Sequence, residues 1–309
     1  MIRKLTEADR EPLMALICKE PALNLFIIGD VENFGFEQDF MDLWGEFDTA
    51  ERQIKAVLLR FYRSYLPYAE GPFDVEGFSE IMRKDKDISM ISGRSDVVQA
   101  FTEVLQFREE KHMLFAEMKE LKLEISEMEQ EIRDTKQDIG DTLTLKMKSI
   151  EQNIDESLSA KMKGLEHNSS SYLVAHDIIK KTTVDDVEAI CALTDIIEEF
   201  QFSPEGSRTN LRKTLESGTG RTYFIEREGQ VIATASTSAE NSMSAMIIAV
   251  ATHPSFRGQG LASRVVAKMC ADLLNEGKSL CLFYDNPQAG IIYKRLGFYD
   301  IGSWSMAFV

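Results

Sequence analysis

The apolar run Met246-Ile-Ile-Ala-Val-Ala251 is long enough for one buried strand and too short for anything larger. Pro254 ends it, Arg257-Gly-Gln-Gly260 follows, and the pattern then turns helical, with apolar side chains at Leu261, Val265, Met269 and Leu273. This predicts a strand, a tight turn and a helix N-terminus. The first turn of a helix carries amides with no intrahelical partner and the positive end of the macrodipole, so it attracts a phosphate. Gly258 and Gly260 let the backbone approach that anion, and Arg257 sets a fixed charge beside it. On the turn alone, a plain strand-to-helix connection with no ligand fits equally well.

The flanking patterns extend the same unit in both directions. Upstream, a strand around Leu173–Lys180 leads to a Thr183-capped helix reaching about Phe200, a loop over Ser203–Ser207 and a short helix from Asn210 to Ser217. Strands Thr222–Arg227 and Gln230–Thr237 flank Glu228-Gly229, a two-residue hairpin signal. Downstream come strand Ser279–Tyr284, a helix containing Tyr293, the Gly297-Phe298 exit and a final strand. The order is strand, helices, three antiparallel strands, helix, strand, helix, strand, an α/β unit built on a mixed sheet.

The N-terminus repeats the opening of that unit. Ile2–Thr6 reads as a strand before a helix over about Ala8–Lys19; matching Thr6 to Thr183 also matches Asp9 to Asp186, at one offset of 177 residues. Strands follow near Leu43–Phe47 and Ile54–Leu66, then a helix over Val75–Arg83, strand Ile88–Ile91, the turn Ser92-Gly-Arg-Ser95 and a helix from Asp96 to Leu105. That turn offers the single Gly93. Residues 1–106 are therefore expected to form a degenerate copy, and 171–309 an intact one.

Residues 107–170 differ in kind. Ile125, Met128, Ile132, Ile139, Leu143, Met147, Ile150, Ile154, Leu158, Met162 and Leu165 recur at steps of three, four or seven, one apolar stripe on a helical connector. Gly140 permits a hairpin, and a continuous helix is equally compatible. The stripe serves either internal packing or a homodimer.

Charge narrows the partners. The formal net charge is -16, yet residues 171–309 hold 13 Lys+Arg against 16 Asp+Glu, so the acidity belongs to the first half and the connector. A negative surface repels nucleic acid and anionic lipid and tolerates a cationic amine. No stretch is long and apolar enough to span a bilayer, and the N-terminus turns polar before a signal-peptide core, so a cytoplasmic protein without membrane contact is expected. Cys18, Cys191, Cys270 and Cys281 lie far apart and the four histidines are scattered, so no disulfide framework and no metal are expected.

Arg257-x-x-Gly260-x-Ala262 resembles the pyrophosphate-binding motif of the GCN5-related N-acetyltransferases, the GNAT family. Asn286-Pro-Gln-Ala-Gly-Ile-Ile-Tyr293 with the Gly297-Phe298 exit is similar to that family's last helix, including the seven-residue step from Asn286 to Tyr293. The layout of the whole chain resembles tandem GNAT proteins of the mycothiol synthase type. The resemblance implies acetyl-CoA as acetyl donor, with the backbone of Arg257, Gly258, Gln259, Gly260, Leu261 and Ala262 on its pyrophosphate. It further implies that Val250, Ala251 and Thr252 pair with the pantetheine arm and that Asn286 contacts CoA, although Asn286 is equally suited to capping its helix.

The implied reaction is transfer of acetyl from acetyl-CoA to a primary amine, small molecule or peptide, by direct attack in a ternary complex. Tyr293 is the candidate general acid, since a phenol of pKa about 10 can protonate a thiolate of pKa about 8.5 as it leaves. The central strand holds no carboxylate, which leaves Glu240, in the turn before it, as the candidate base, beside the plainer reading of an exposed turn residue. The acceptor pocket is expected between the Phe200–Ser207 loop and the last strand around Ser303 and Trp304, with Glu198, Glu199 and Glu205 favouring a cation if they face inward. The alternative is a catalytically silent acyl-CoA-binding or sensing module whose helical segment contacts a partner.

Overall fold

The computed structural model describes residues 1–48, 53–122, 177–200 and 204–309. The first half runs β1 (Ile2–Lys4), α1 (Arg10–Ile17), α2 (Leu25–Phe34), β2 (Met41–Phe47), β3 (Ile54–Phe61), β4 (Ser64–Ala69), α3 (Val75–Lys84), β5 (Met90–Arg94), α4 (Ser95–Gln99) and β6 (Glu109–Met118). The second runs β7 (Ile179–Lys181), α5 (Val187–Asp195), α6 (Pro204–Ser217), β8 (Thr222–Arg227), β9 (Gln230–Ser238), β10 (Ser244–Thr252), α7 (Leu261–Asn275), β11 (Ser279–Tyr284), α8 (Pro287–Leu296) and β12 (Tyr299–Phe308). Element for element, the two halves are the same list. The fold is a mixed α/β sheet duplicated within one chain.

The repeated Thr-x-x-Asp explains why both copies begin alike. Asp9 accepts from the Thr6 amide at 2.9 Å and Asp186 from the Thr183 amide at 2.7 Å, each closing a capping box before a single 3-10 turn that leads into α1 or α5. The Glu228-Gly229 hairpin has both central residues at positive φ, as a tight turn joining two right-twisted strands requires.

All strands of the described residues join one twelve-stranded sheet in the order β1-β2-β3-β4-β5-β12-β6-β11-β10-β9-β8-β7. The halves interlock at its centre. β6, from the first half, lies antiparallel between β11 and β12 of the second; β12 lies antiparallel between β5 and β6 of the first. Each half is completed by the other's last strand.

Residues 109–118 were expected at the start of a helical connector and instead form β6. The charged opening Glu109-Glu-Lys111 reads as solvated helix, but Phe115, Ala116 and Met118 are buried and the strand is paired on both edges. The apolar stripe from Ile125 to Leu165 and the first part of the strand expected from Leu173 lie outside the described residues. Residues 54–66, expected as one strand, form a hairpin, β3 and β4, turning at Tyr62, and Leu25-Phe-Ile-Ile28 belongs to α2.

Helices cover both faces. Leu261, Val265, Met269 and Leu273 of α7 are all buried against the second half's sheet, as their spacing predicts. On the opposite face α2 reaches across from the first half. The Asn241 side chain donates to the Leu25 carbonyl at 3.0 Å, Glu32 accepts from the Ser242 amide at 2.8 Å, and a side chain at Gly29 would meet the Ala239 carbonyl at 3.2 Å. No helix among the described residues is long and apolar enough to cross a membrane.

Candidate active site

β10 and β11 pair in parallel only over Ser244–Met246 and Ser279–Cys281, and beyond this they part. β10 also bulges: Ile248 opposes Ser236 while Ala251 opposes Thr234, one residue more than its partner β9, with Ala249 at φ 51°. The gap opens into a cleft of about 410 Å³. Val250, Ala251 and Thr252 form one wall, Arg257, Gly258, Gly260, Leu261 and Ala262 the end, and Asn286 and Tyr293 the other wall.

The turn before α7 suits an anion for identifiable reasons. Gly258 and Gly260 both have positive φ, at 77° and 71°, so only residues without a side chain adopt this path at little cost. Gly260 is the N-cap of α7, and no side chain caps the helix, so its first amides face the cleft with the positive end of a fifteen-residue helix behind them. Arg257 is exposed at the rim. Gln259 does not line the cleft; its side chain accepts from Arg227 at 3.2 Å.

A brace behind the turn was not legible in the sequence. Asp177, its side chain 3% exposed, accepts from Arg227 at 2.7 and 2.8 Å and from Arg264, in the first turn of α7, at 2.9 Å. Hydrogen bonds from Arg227 hold the Asp177 carboxyl below the usual range against the cost of its burial, and Arg264 adds to the effect. The network ties α7 to the end of β8 and fixes where its amides point. Asp177 stands 50 residues from Arg227 and 87 from Arg264, with no spacing signal to connect them.

Tyr293 projects from α8 with its ring edge-on to Phe298 at 5.9 Å and tilted against Tyr284 at 5.9 Å. Burial pushes its phenol above the ordinary value, so it is protonated at neutral pH. Its hydroxyl has no hydrogen-bond partner among the described residues. Asn286 caps α8, accepting from the Gln288 amide at 2.9 Å, and lines the cleft as well.

Glu240 is neither exposed nor in the cleft. It sits in the β9–β10 turn, 8% exposed, accepting from Arg221 at 3.1 Å and Lys278 at 2.7 Å. Burial alone would raise its carboxyl, but those two cations outweigh it and leave it below the ordinary value. A carboxylate so paired is a structural anchor and a poor base. Trp304 is likewise corrected: it is buried in the core between the halves and donates to Ser92 Oγ at 2.7 Å, while Ser303 pairs in the ladder opposite Leu114. Phe200 and Ile197 do line the cleft. Residues 201–203 and the side chains of Glu199 and Glu205 lie outside the described residues.

Among the described residues the first half shows no equivalent anion site, for a reason other than its single Gly93. By element order the counterpart of α7 is α3, and the counterpart of the glycine turn is the segment ending at Asp74. Asp74 caps α3, accepting from the Gly77 amide at 2.9 Å, and its own amide donates to Glu46 at 2.8 Å. Carboxylates stand where a phosphate would have to sit. Gly93 lies within β5, where an added side chain would meet the Pro67 carbonyl at 3.2 Å, and is not a turn residue.

The acetyltransferase (GNAT) family profile matches residues 188–298. Among solved structures, a Drosophila protein superposes over all of this chain and 98% of its own at a TM-score of 0.62 and 12% identity. A tandem GNAT protein from the clavulanic acid biosynthesis pathway does so over 100% and 98% at 0.53 and 11%, and a GNAT-family acetyltransferase from Colwellia psychrerythraea over 100% and 98% at 0.51 and 11%. No curated protein matches the sequence. The glycine turn, the parted strands and the α8 segment all lie inside the range that the acetyltransferase (GNAT) family profile matches, and the whole chain has the fold of a tandem GNAT protein.

Proposed function

We propose that the second half transfers acetyl from acetyl-CoA to a primary amine by direct attack within a ternary complex. The observation that carries this reading is the uncapped, glycine-cradled N-terminus of α7 opening on the same cleft as the protonated phenol of Tyr293. Gly258 and Gly260 line the cradle at positive φ, and no carboxylate among the described residues faces it from the cleft lining, so a diphosphate fits there. Bound acetyl-CoA supplies an acetyl thioester, whose carbon is the electrophile and whose sulfur is the leaving group.

The chain's own residues then have separable tasks. The amides from Arg257 to Ala262 hold the diphosphate, and the unpaired edge of β10 along Val250–Thr252 takes the extended arm as an added strand. An N–H freed by the bulge polarises the acetyl carbonyl. As the C–N bond forms and the C–S bond breaks, Tyr293 gives its proton to the departing sulfur. The nitrogen loses its proton to solvent, since neither a carboxylate nor a histidine lines the cleft among the described residues. The acceptor must therefore arrive as the neutral amine.

That missing base also favours the second reading, a module that binds acyl-CoA without turning it over. Thiol release from acetyl-CoA across a panel of small amines, amino acids and peptide N-termini separates the two. Turnover abolished by Tyr293→Phe supports transfer; tight binding without turnover on any acceptor supports the silent module.

A further inference from the structure

We propose that a second cavity, between the two halves, binds an organic ammonium ion with an aromatic or branched apolar body, Asp30 acting as its counter-ion. The cavity measures about 440 Å³ and shares no lining residue with the acetyl-CoA cleft. Its size is ordinary for a small-molecule site. One stripe of α2 forms a side of it: Phe26, Asp30 and Phe34 recur at steps of four, so they stack along a single helix face. Two ring pairs bracket the carboxylate, Phe26 with Phe283 of β11 at 6.3 Å and Phe34 with Phe61 of β3 at 6.0 Å. Ring faces around an anion are the surroundings a cation with an apolar body prefers to water.

Asp30 itself lacks what a structural carboxylate has. Its carboxyl makes no hydrogen bond or ion pair with any described residue, and no described Lys or Arg lines the cavity. The other carboxylates of the α2 interface are all engaged: Glu32 with Ser242, and Glu240 with Arg221 and Lys278. Among the described residues Tyr65 is the only other titratable group lining the cavity, and its hydroxyl is committed to Asp85 at 2.9 Å. Burial without a partner pushes the Asp30 carboxyl up to about 7, so it sits half ionised at neutral pH and gains most from an incoming cation. An anion would be refused. The inference stands apart from acetyl transfer, because it claims a bound cation and no reaction.

The test is calorimetry on the full-length protein with 4-phenylbutylamine as probe, 4-phenylbutanol as its uncharged control, and no acetyl-CoA present. At pH 8 the amine is expected to bind one per chain, at least tenfold tighter than the alcohol. Asp30→Asn, close in shape and free of the buried charge, is expected to lose at least tenfold for the amine and to leave the alcohol unchanged. Lowering the pH from 8 to 6 protonates Asp30 and weakens the amine about tenfold in the wild type only. Added CoA leaves the amine affinity unchanged. Absence of amine binding at millimolar concentration, equal affinity for amine and alcohol, an unaffected Asp30→Asn variant, or displacement by CoA would each overturn the proposal.

Discussion

The indole N–H of Trp304, in the middle of the last strand, donates to Ser92 Oγ of β5 at 2.7 Å, joining residues 212 positions apart. The bond lies where β12 of the second half is laid between two strands of the first. Trp304 also packs against Phe115 of β6 at 5.3 Å and Phe283 of β11 at 5.0 Å. Trp304→Ala is expected to cost about 3–5 kcal/mol in urea unfolding, as for other large buried aromatics. Because the halves share their central strands, they should also melt together. With Trp44 or Trp304 replaced singly by Phe, the remaining tryptophan reports from one half, and the two denaturation midpoints are expected to track the global unfolding seen by circular dichroism.

Tyr293→Phe removes only the proton donor. The turnover number for amine acetylation is expected to fall about 10²–10⁴-fold, the usual worth of a positioned acid, with CoA affinity unchanged by calorimetry. The rate for wild type should rise with pH toward the pKa of the acceptor amine, since the cleft offers no base to deprotonate it. A turnover number in Tyr293→Phe within twofold of wild type would remove Tyr293 from the mechanism.

Asp177 acts through Arg264 and Arg227, as a positioning residue for the turn. Asp177→Asn is expected to raise the KM for acetyl-CoA about tenfold while the rate at saturation holds, because the amides are misplaced and the phenol is not. A structural role alone would lower stability and leave the KM of the folded fraction unchanged.

The first half should take no acyl-CoA of its own, since Asp74 caps α3. Calorimetry is expected to give one CoA per chain. Asp74→Ala should cost about 1 kcal/mol of stability through the lost cap and add no second site, because Glu46 still accepts from the backbone amide at 74.

Asp30 makes stability pH-dependent with a definite sign. Its carboxyl is raised from 3.8 unfolded to about 7 folded, so the folded state is favoured below the unfolded value and loses that advantage as pH rises through 7. At about 1.4 kcal/mol per unit the effect is at most about 4 kcal/mol, less where water enters the cavity. Asp30→Asn is therefore expected to gain thermal stability over wild type at pH 8 and to show none of that gain at pH 4. Melting curves at the two pH values decide it.

The features legible in the sequence were those made of neighbouring residues. The glycine turn before α7, the Thr-x-x-Asp capping boxes and the Glu228-Gly229 hairpin are short-range chemistry, and local rules found them. The misreadings share a different cause. β6 begins with three charged residues and acquires its strand character from pairing with β11 and β12, partners far away in sequence. Glu240 looked exposed because nothing nearby announces Arg221 and Lys278, and Trp304 looked like a pocket residue because its partner belongs to the other half. The Asp177 brace and the Asp30 cavity were invisible for the same reason: the folded sheet assembles them from distant strands.

The crossing of β6 and β12 bears on what the first half contributes. A gene encoding either half alone would specify a sheet lacking a strand in its interior and not at its rim. Such a gap leaves a line of donors and acceptors with nothing to satisfy them. Whatever else the first half does, the second therefore depends on it for a central strand, and a substitution that weakens β6 is expected to reach the cleft of the other half.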